Sequence, residues 1–253
     1  MITLEKDRLR VSIAEPNVEN NTCRFNRAGF VTSVILDGEY EFCGDEHGGT
    51  KGAGLCSEIT TDVISAEVPV GGKFPKFGVG ILGKYEDQPY NFMKSYDVEP
   101  FEICTECTED KAVFYTEPRD IAGFALREKK TVAIHDNILY VDYEVENAGS
   151  RDFLYSEYCH NFLTLDFDGT RNSYNLNMQM DNADFPYEWR LMYSPSGLFI
   201  KARDYFRPHH HNIWSPGFVI SPEIYFVREL APKEKAAYRR EYEFDCFRRE
   251  GKK

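Results

Sequence analysis

The stretch LYVDYEVEN, residues 139–147, alternates apolar and polar side chains from beginning to end. A period of two is typical of a β-strand that buries one face and leaves the other in water. The turn-forming run Asn147-Ala148-Gly149-Ser150 then ends the pattern. The stretch therefore predicts a long strand with one face against a hydrophobic core. Its inward residues would be Leu139, Val141, Tyr143 and Val145.

The same kind of pattern recurs on both sides of this stretch. Residues 29–36 run into Asp37-Gly38, which is a hairpin turn signal. Near the end of the chain, every second residue falls on one face of a further strand: Tyr238, Arg240, Tyr242 and Phe244. Helical periodicity is nearly absent. Short strands separated by turns predict a mainly β, antiparallel β-sandwich, and no low-complexity linker divides residues 1–253 into separate domains.

Composition agrees with one large all-β domain. The chain has 253 residues, of which 42% are hydrophobic and 15% aromatic, including 16 tyrosines. Aromatic residues favour strands, and their flat faces also suit the C–H faces of sugars.

Charge and cysteine content narrow the classes of partner. A net charge of −12 repels nucleic-acid backbones, and its spread along the chain indicates solubility rather than a dedicated cation site. No apolar run approaches the roughly 20 residues that cross a bilayer, so no membrane partner is expected. The N-terminus lacks a signal-peptide pattern and the cysteine count, seven, is odd. These features predict reduced thiols and a cytoplasmic location.

Several segments between residues 24 and 244 together resemble the galactose mutarotase-like superfamily, to which the aldose 1-epimerases belong. The most specific is the strand at residues 139–147 followed by Tyr158-Cys159-His160-Asn161-Phe162, which is similar to a family strand that leads to a histidine and a phenylalanine. The other segments are residues 24–38, Gly54–Ile59, residues 75–82, and Pro222-Glu223 with the closing strand at residues 238–244.

This resemblance implies a galactose mutarotase-like supersandwich, with a sugar cleft on the concave face of one sheet. It also implies a cofactor-free isomerase of the aldose 1-epimerase type, which interconverts sugar anomers by opening and closing the ring. Ring opening needs a base for the anomeric hydroxyl and an acid for the ring oxygen. By resemblance, the acid is His160 and the base is Glu223, and we expect the two to flank a sugar ring.

Both residues also have simpler interpretations. A histidine among aromatic residues is often a buried side chain bonded to a backbone carbonyl. A carboxylate inside an apolar run such as residues 218–227 either points outward or faces a cleft, because burying it unpaired is costly. The two interpretations stay open at this point.

Further residues are predicted to bind the substrate. Glu58 and Lys76 lie in family-like segments, and charged groups make the stronger hydrogen bonds to hydroxyls. Asn161 follows His160, and Trp214 offers a stacking platform for a sugar. Solvated loop charges and a core tryptophan are the competing interpretations.

Two rival functions and two further expectations complete the prediction. A non-catalytic sugar-binding protein would keep the cleft, and a hydrolase or lyase would use the same scaffold for other chemistry.

His209-His210-His211 could bind a metal or form a loop near the cleft, but no matching ligands are evident, so we expect no metal and no cofactor. The expected partner is a small-molecule sugar, and the oligomeric state is open, with a homodimer as the candidate assembly.

Overall fold

The computed structural model describes residues 1–19, 22–46, 51–164, 174–178, 185–193, 196–217 and 219–247. Within these ranges the chain forms two large antiparallel sheets, a smaller three-stranded sheet and the short helix α1, Asp62–Glu67. In the described part of the chain, no helix has the length and apolar character needed to span a membrane.

The first sheet carries the residues of the candidate site. Its strands, in spatial order, are β1 (Ile2–Lys6), β2 (Leu9–Ile13), β3 (Val31–Leu36), β5 (Leu55–Ile59), β13 (Phe153–Asn161), β18 (Ser221–Leu230) and β17 (His211–Trp214), and β4 (Tyr40–Glu41) pairs with β3.

The second sheet packs against the first. Its strands, in spatial order, are β14 (Tyr174–Met178), β15 (Tyr187–Tyr193), β16 (Leu198–Asp204), β19 (Lys235–Cys246), β12 (Ile138–Asn147), β11 (Leu126–His135), β10 (Lys111–Thr116) and β9 (Ile103–Cys107). The small sheet consists of β6 (Lys73–Lys76), β7 (Gly80–Gly83) and β8 (Val98–Pro100).

The predicted strand at residues 139–147 is confirmed as β12, which lies between β11 and β19. Its predicted inward residues, Leu139, Val141, Tyr143 and Val145, are at most 5% exposed and belong to the main core. The hairpin turn is confirmed as well, because Asp37 and Gly38 have φ angles of 54° and 70°. Two successive positive φ angles are what a tight hairpin between twisted strands requires. The predicted antiparallel β-sandwich is therefore confirmed.

The interior between the two large sheets contains a buried ion network. Arg240, on the inward face of β19, donates to Asp204 and Glu157 at 2.7 Å each and to the carbonyl of Ile224 at 2.9 Å. All three charged side chains are at most 4% exposed. A buried cation and two buried carboxylates are tolerated together because each supplies the partner that water would otherwise provide. This network fixes the relative position of β13, β16 and β19.

Another buried carboxylate, Glu128, makes the free energy of unfolding sensitive to pH. Glu128 on β11 accepts hydrogen bonds from the Asn26 amide at 2.8 and 3.0 Å, and burial raises its pKa to about 7. The folded state thus retains a proton that the unfolded chain releases at lower pH. Glu128 therefore lowers the free energy of unfolding as the pH rises from about 4.5 to about 7.

We expect Glu128→Gln to remove this contribution. The stability of the variant relative to wild type should improve between pH 5 and pH 8, by on the order of 1–3 kcal/mol. Urea unfolding at each pH measures the difference. Glu144→Gln changes an exposed position of the same sheet, and its free energy of unfolding should vary with pH in parallel with that of wild type. A wild-type curve parallel to that of Glu128→Gln would contradict the assignment.

Candidate active site

Four neighbouring strands of the first sheet place a group of polar and aromatic side chains on one face. On β13, alternate residues share a face, so Tyr158 and His160 point together, away from the buried Glu157. Directly opposite residues of antiparallel strands also share a face. Tyr158 pairs with Glu58 on one side and with Tyr225 on the other. We call this the site face and define it by Glu58, Tyr158, Tyr225, His160, Glu223 and Asn212.

His160 and Glu223 are in direct contact on the site face. The distance from His160 Nε2 to Glu223 Oε1 is 3.2 Å, and the two residues are 3% and 4% exposed. The sequence predicted that they flank a sugar ring, whereas the structure places them side by side. Glu223 Oε2 accepts a further hydrogen bond from the Asn212 amide at 3.0 Å. The His160 Nδ1 atom is buried without a described partner.

Aromatic rings enclose the imidazole of His160. Phe162 stacks on it with ring centroids 4.1 Å apart, and Trp214 meets it edge-on at 4.9 Å. Phe25 makes a further edge contact at 6.0 Å. This apolar cluster is separate from the main core between the sheets. These contacts leave the His160 side chain only 3% exposed, so little water reaches the imidazole.

Burial drives both members of the pair toward their neutral forms. It lowers the pKa of His160 to about 3, and the nearby Arg24 cation acts in the same direction. It raises the pKa of Glu223, against the opposing effect of the Asn212 hydrogen bond. A buried acid and base in contact share protons, because each neutralises the charge that the other would carry. The pair is therefore suited to taking one proton and giving another.

Glu58 has a different electrostatic environment. Its carboxylate accepts hydrogen bonds from Arg24 Nε at 2.7 Å, from Lys76 Nζ at 3.1 Å and from the Tyr158 hydroxyl at 2.6 Å. Burial would raise the pKa of Glu58, but the Lys76 and Arg24 cations outweigh burial and hold it below its usual value. Glu58 is therefore a fixed, ionised acceptor at the edge of the pair.

Two of the predicted substrate-binding residues lie away from the site face. Lys76 is fully buried, and its ammonium group donates to Glu58 and to the Ile59 carbonyl. It therefore holds the Glu58 carboxylate in place rather than facing the site. The Asn161 side chain points into the interior, where it donates to the carbonyls of Cys159 and Pro222 and accepts from the Tyr242 hydroxyl. We leave both out of the proposed sugar site and retain Glu58 and Trp214.

The structure adds four residues that the sequence analysis did not single out: Arg24, Tyr158, Asn212 and Tyr225. Arg24 lies between the rings of Phe25 and Phe92, with its guanidinium carbon 4.6 and 4.0 Å from their centroids. Tyr158 and Tyr225 stack with centroids 4.6 Å apart. A signal for these tyrosines existed, since each is two positions from a predicted catalytic residue on a strand.

A cleft of about 590 Å³ lies at one end of the site face. Its lining includes Glu58, Tyr158 and Tyr225 of the site face together with residues of the loop after β7, among them Tyr90 and Phe92. The His210 ring stacks on Tyr225 with centroids 3.9 Å apart, which places the histidine run at the margin of this cleft. Flat aromatic faces next to fixed acceptors are typical of sites that bind polar ring compounds.

Metal independence remains a prediction. Among the described residues, no group of three or more histidine, cysteine, aspartate or glutamate side chains has metal-binding geometry. We expect treatment with a chelator to leave the melting temperature and any activity unchanged. A fall in either that zinc or another divalent ion restores would contradict this.

Solved structures of other proteins share the architecture, among them the following three. A galactose mutarotase-like protein from Lactobacillus casei has a TM-score of 0.63 at 14% identity, covering 97% of this chain and 100% of that one. A galactose mutarotase related enzyme from Lactobacillus acidophilus has a TM-score of 0.61 at 12% identity, covering 100% and 99%. An aldose epimerase homologue from C. elegans has a TM-score of 0.52 at 11% identity, covering 97% and 98%.

These similarities establish the fold alone. They carry no information on substrate or reaction, because the sequence identity is too low. No family profile and no curated protein matches the sequence.

Proposed function

We propose that this chain, which has the fold of the galactose mutarotase-like superfamily, binds a free sugar and interconverts its anomers with His160 and Glu223 as the acid–base pair. The observation that carries the proposal is the 3.2 Å contact between these two groups in an apolar, enclosed position of the site face. Trp214, Glu58 and Tyr158 would position the sugar.

Contact between acid and base fits this reaction. In a cyclic hemiacetal, the ring oxygen and the anomeric hydroxyl are bonded to the same carbon atom. The group that protonates one oxygen and the group that deprotonates the other must therefore converge on one point.

The proton count also balances. Ring opening starts from the ion-pair form, with imidazolium at His160 and carboxylate at Glu223. This form holds the same number of protons as the neutral imidazole and carboxylic acid that burial favours, so one proton transfer within the pair converts one form into the other. In ring opening, His160 gives its proton to the ring oxygen while Glu223 takes the proton of the anomeric hydroxyl. The C1–O5 bond breaks and the C1 carbonyl forms, leaving a neutral imidazole and a carboxylic acid. Rotation about C1–C2 and the reverse transfers close the ring with either configuration. The pair stays neutral overall, which suits its burial.

A hydrolase of the two-carboxylate type is less well supported. Such an enzyme needs one carboxylic acid to deliver a proton to the leaving group and one free carboxylate to attack the sugar or activate water. Burial raises the pKa of Glu223, so Glu223 would be the acid and Glu58 the free carboxylate. Both oxygens of Glu58 are already engaged by hydrogen bonds from Arg24, Lys76 and Tyr158, which leaves it poorly placed for that role.

A non-catalytic sugar-binding protein is the second candidate. The observation that favours it is the low exposure of the pair, at 3% for His160 and 4% for Glu223, while the cleft beside them is open. A protein of this kind would bind sugar in the cleft without engaging the pair.

The experiment that separates the two is an NMR panel of freshly dissolved aldoses, including hexoses, pentoses, uronates and sugar phosphates. The rate of anomer interconversion and the binding of each sugar are measured on the same samples. Acceleration above buffer for one or more sugars supports the enzyme. Binding without acceleration selects the second candidate, and neither effect with any sugar would refute both.

A further inference from the structure

The cleft next to the pair is larger than a single sugar ring requires. Its volume is about 590 Å³, within the range of roughly 300–1,000 Å³ typical of pockets for ligands of drug size. The pair itself does not line this space, whereas Tyr158 and Tyr225, its neighbours on the same strands, do. The cleft therefore extends away from the point where the anomeric carbon would lie.

The strand geometry fixes how far away the cleft begins. Tyr158 and His160 are successive residues on one face of β13, and Tyr225 and Glu223 are successive on one face of β18. Such residues lie about 6.5–7 Å apart along a strand. This step is comparable to the length of one sugar unit, so a neighbouring unit of the same molecule would reach the tyrosines.

The lining has the chemistry that recognises a neutral sugar. It combines aromatic faces with the side-chain amides of Gln88 and Asn91, which lie in the loop after β7. The aromatic residues are Tyr90 and Phe92 of the same loop and Tyr158 and Tyr225 of the site face. Aromatic faces pack on sugar C–H groups, and amides exchange hydrogen bonds with hydroxyls.

Charges around the cleft sum to zero. Lys94 is paired with Glu86, whereas Arg24 and Lys76 share the single carboxylate of Glu58. The exposed carboxylate of Asp62 lies at the margin, which makes three carboxylates for three cations and disfavours an anion. A phosphate or uronate group would therefore meet no net positive charge from these residues.

We propose that this cleft is a second subsite, which takes the non-reducing part of a di- or oligosaccharide while the reducing end lies at His160 and Glu223. This rests on the proposed function for the position of the reducing end. The preferred substrate class is then a neutral reducing oligosaccharide rather than a free monosaccharide.

The test is to fill the cleft from its exposed rim. Gln88→Trp places an indole in the cleft, and Asp87→Trp places the same group one residue earlier, at an exposed position that does not line it. Anomer interconversion is measured by NMR for glucose and galactose and for maltose, cellobiose and lactose. Gln88→Trp should lower the ratio of disaccharide to monosaccharide kcat/KM at least about tenfold, and Asp87→Trp should change it less than about twofold.

Each other outcome is decisive. If the ratio is unchanged in Gln88→Trp, or if wild type accelerates monosaccharides alone, the subsite is refuted while the proposed function stands. If wild type accelerates no sugar, the proposed function fails, and titration of the same disaccharides decides the subsite separately. Binding that Gln88→Trp weakens and Asp87→Trp preserves would support it. Equal binding by all three proteins, or none by wild type, would overturn it.

Discussion

Glu223→Gln should slow the interconversion of sugar anomers by about 100- to 10,000-fold, the contribution typical of a general base. The amide keeps the shape of the side chain and can still accept the hydrogen bond from Asn212. It cannot take the proton of the anomeric hydroxyl. Sugar binding should stay within about tenfold of wild type, and the melting temperature should not fall, because the change removes a partly charged group from a buried site.

The matched control for this variant is Glu229→Gln, an exposed position on the same strand. It should leave rate, binding and stability unchanged. His160→Asn should behave like Glu223→Gln, since it removes the proton donor. A Glu223→Gln protein that loses activity and stability in parallel would show that the carboxylate is structural. Full activity in the variant would show that the base lies elsewhere.

Arg240→Leu should destabilise the fold by about 3–5 kcal/mol, the cost typical of removing one partner from a buried ion pair. The substitution strips Glu157 and Asp204 of their cation while they remain inside the sandwich. Burial already raises the pKa of Asp204 to about 6, with Arg240 opposing that effect. Without Arg240 both carboxylates must be protonated or exposed, and urea unfolding at neutral pH measures the loss.

The neighbouring position supplies the control. Arg239 lies next in sequence but faces solvent, where it pairs with Asp142 at 2.6 Å. Arg239→Leu should cost no more than about 1 kcal/mol, since exposed ion pairs contribute little. Equal losses for the two variants would contradict the assignment of Arg240 as a buried, doubly paired cation.

The fold was predictable because strand periodicity is local. The alternation at residues 139–147 predicts which residues of β12 are buried, and the pattern at the end of the chain places Arg240 inward with Tyr238 and Tyr242. One turn departs from the residue type that its backbone favours. At the turn before β19, Lys233 adopts a φ of 70°, a left-handed conformation that glycine adopts most readily.

The candidate site was predictable only in part. The positions of His160 and Glu223 came from resemblance, whereas their contact depends on how β13 and β18 pair, which no local pattern encodes. Asn161 could have been excluded, because the residue after His160 on a strand must face the opposite side. The burial of Lys76 could not be foreseen, since lysine is almost never fully buried unless it is paired, and its partner Glu58 is on another strand.

The central claim is that the contacting pair handles the anomeric carbon of a sugar. A crystal structure of Glu223→Gln soaked with a sugar that wild type accelerates tests it most directly, because the slowed variant should retain the ligand. We expect the anomeric hydroxyl within hydrogen-bond distance of Gln at position 223, the ring oxygen toward His160, and the rest of the molecule directed past Tyr158 and Tyr225. A sugar bound with its anomeric carbon out of reach of both side chains would contradict the account.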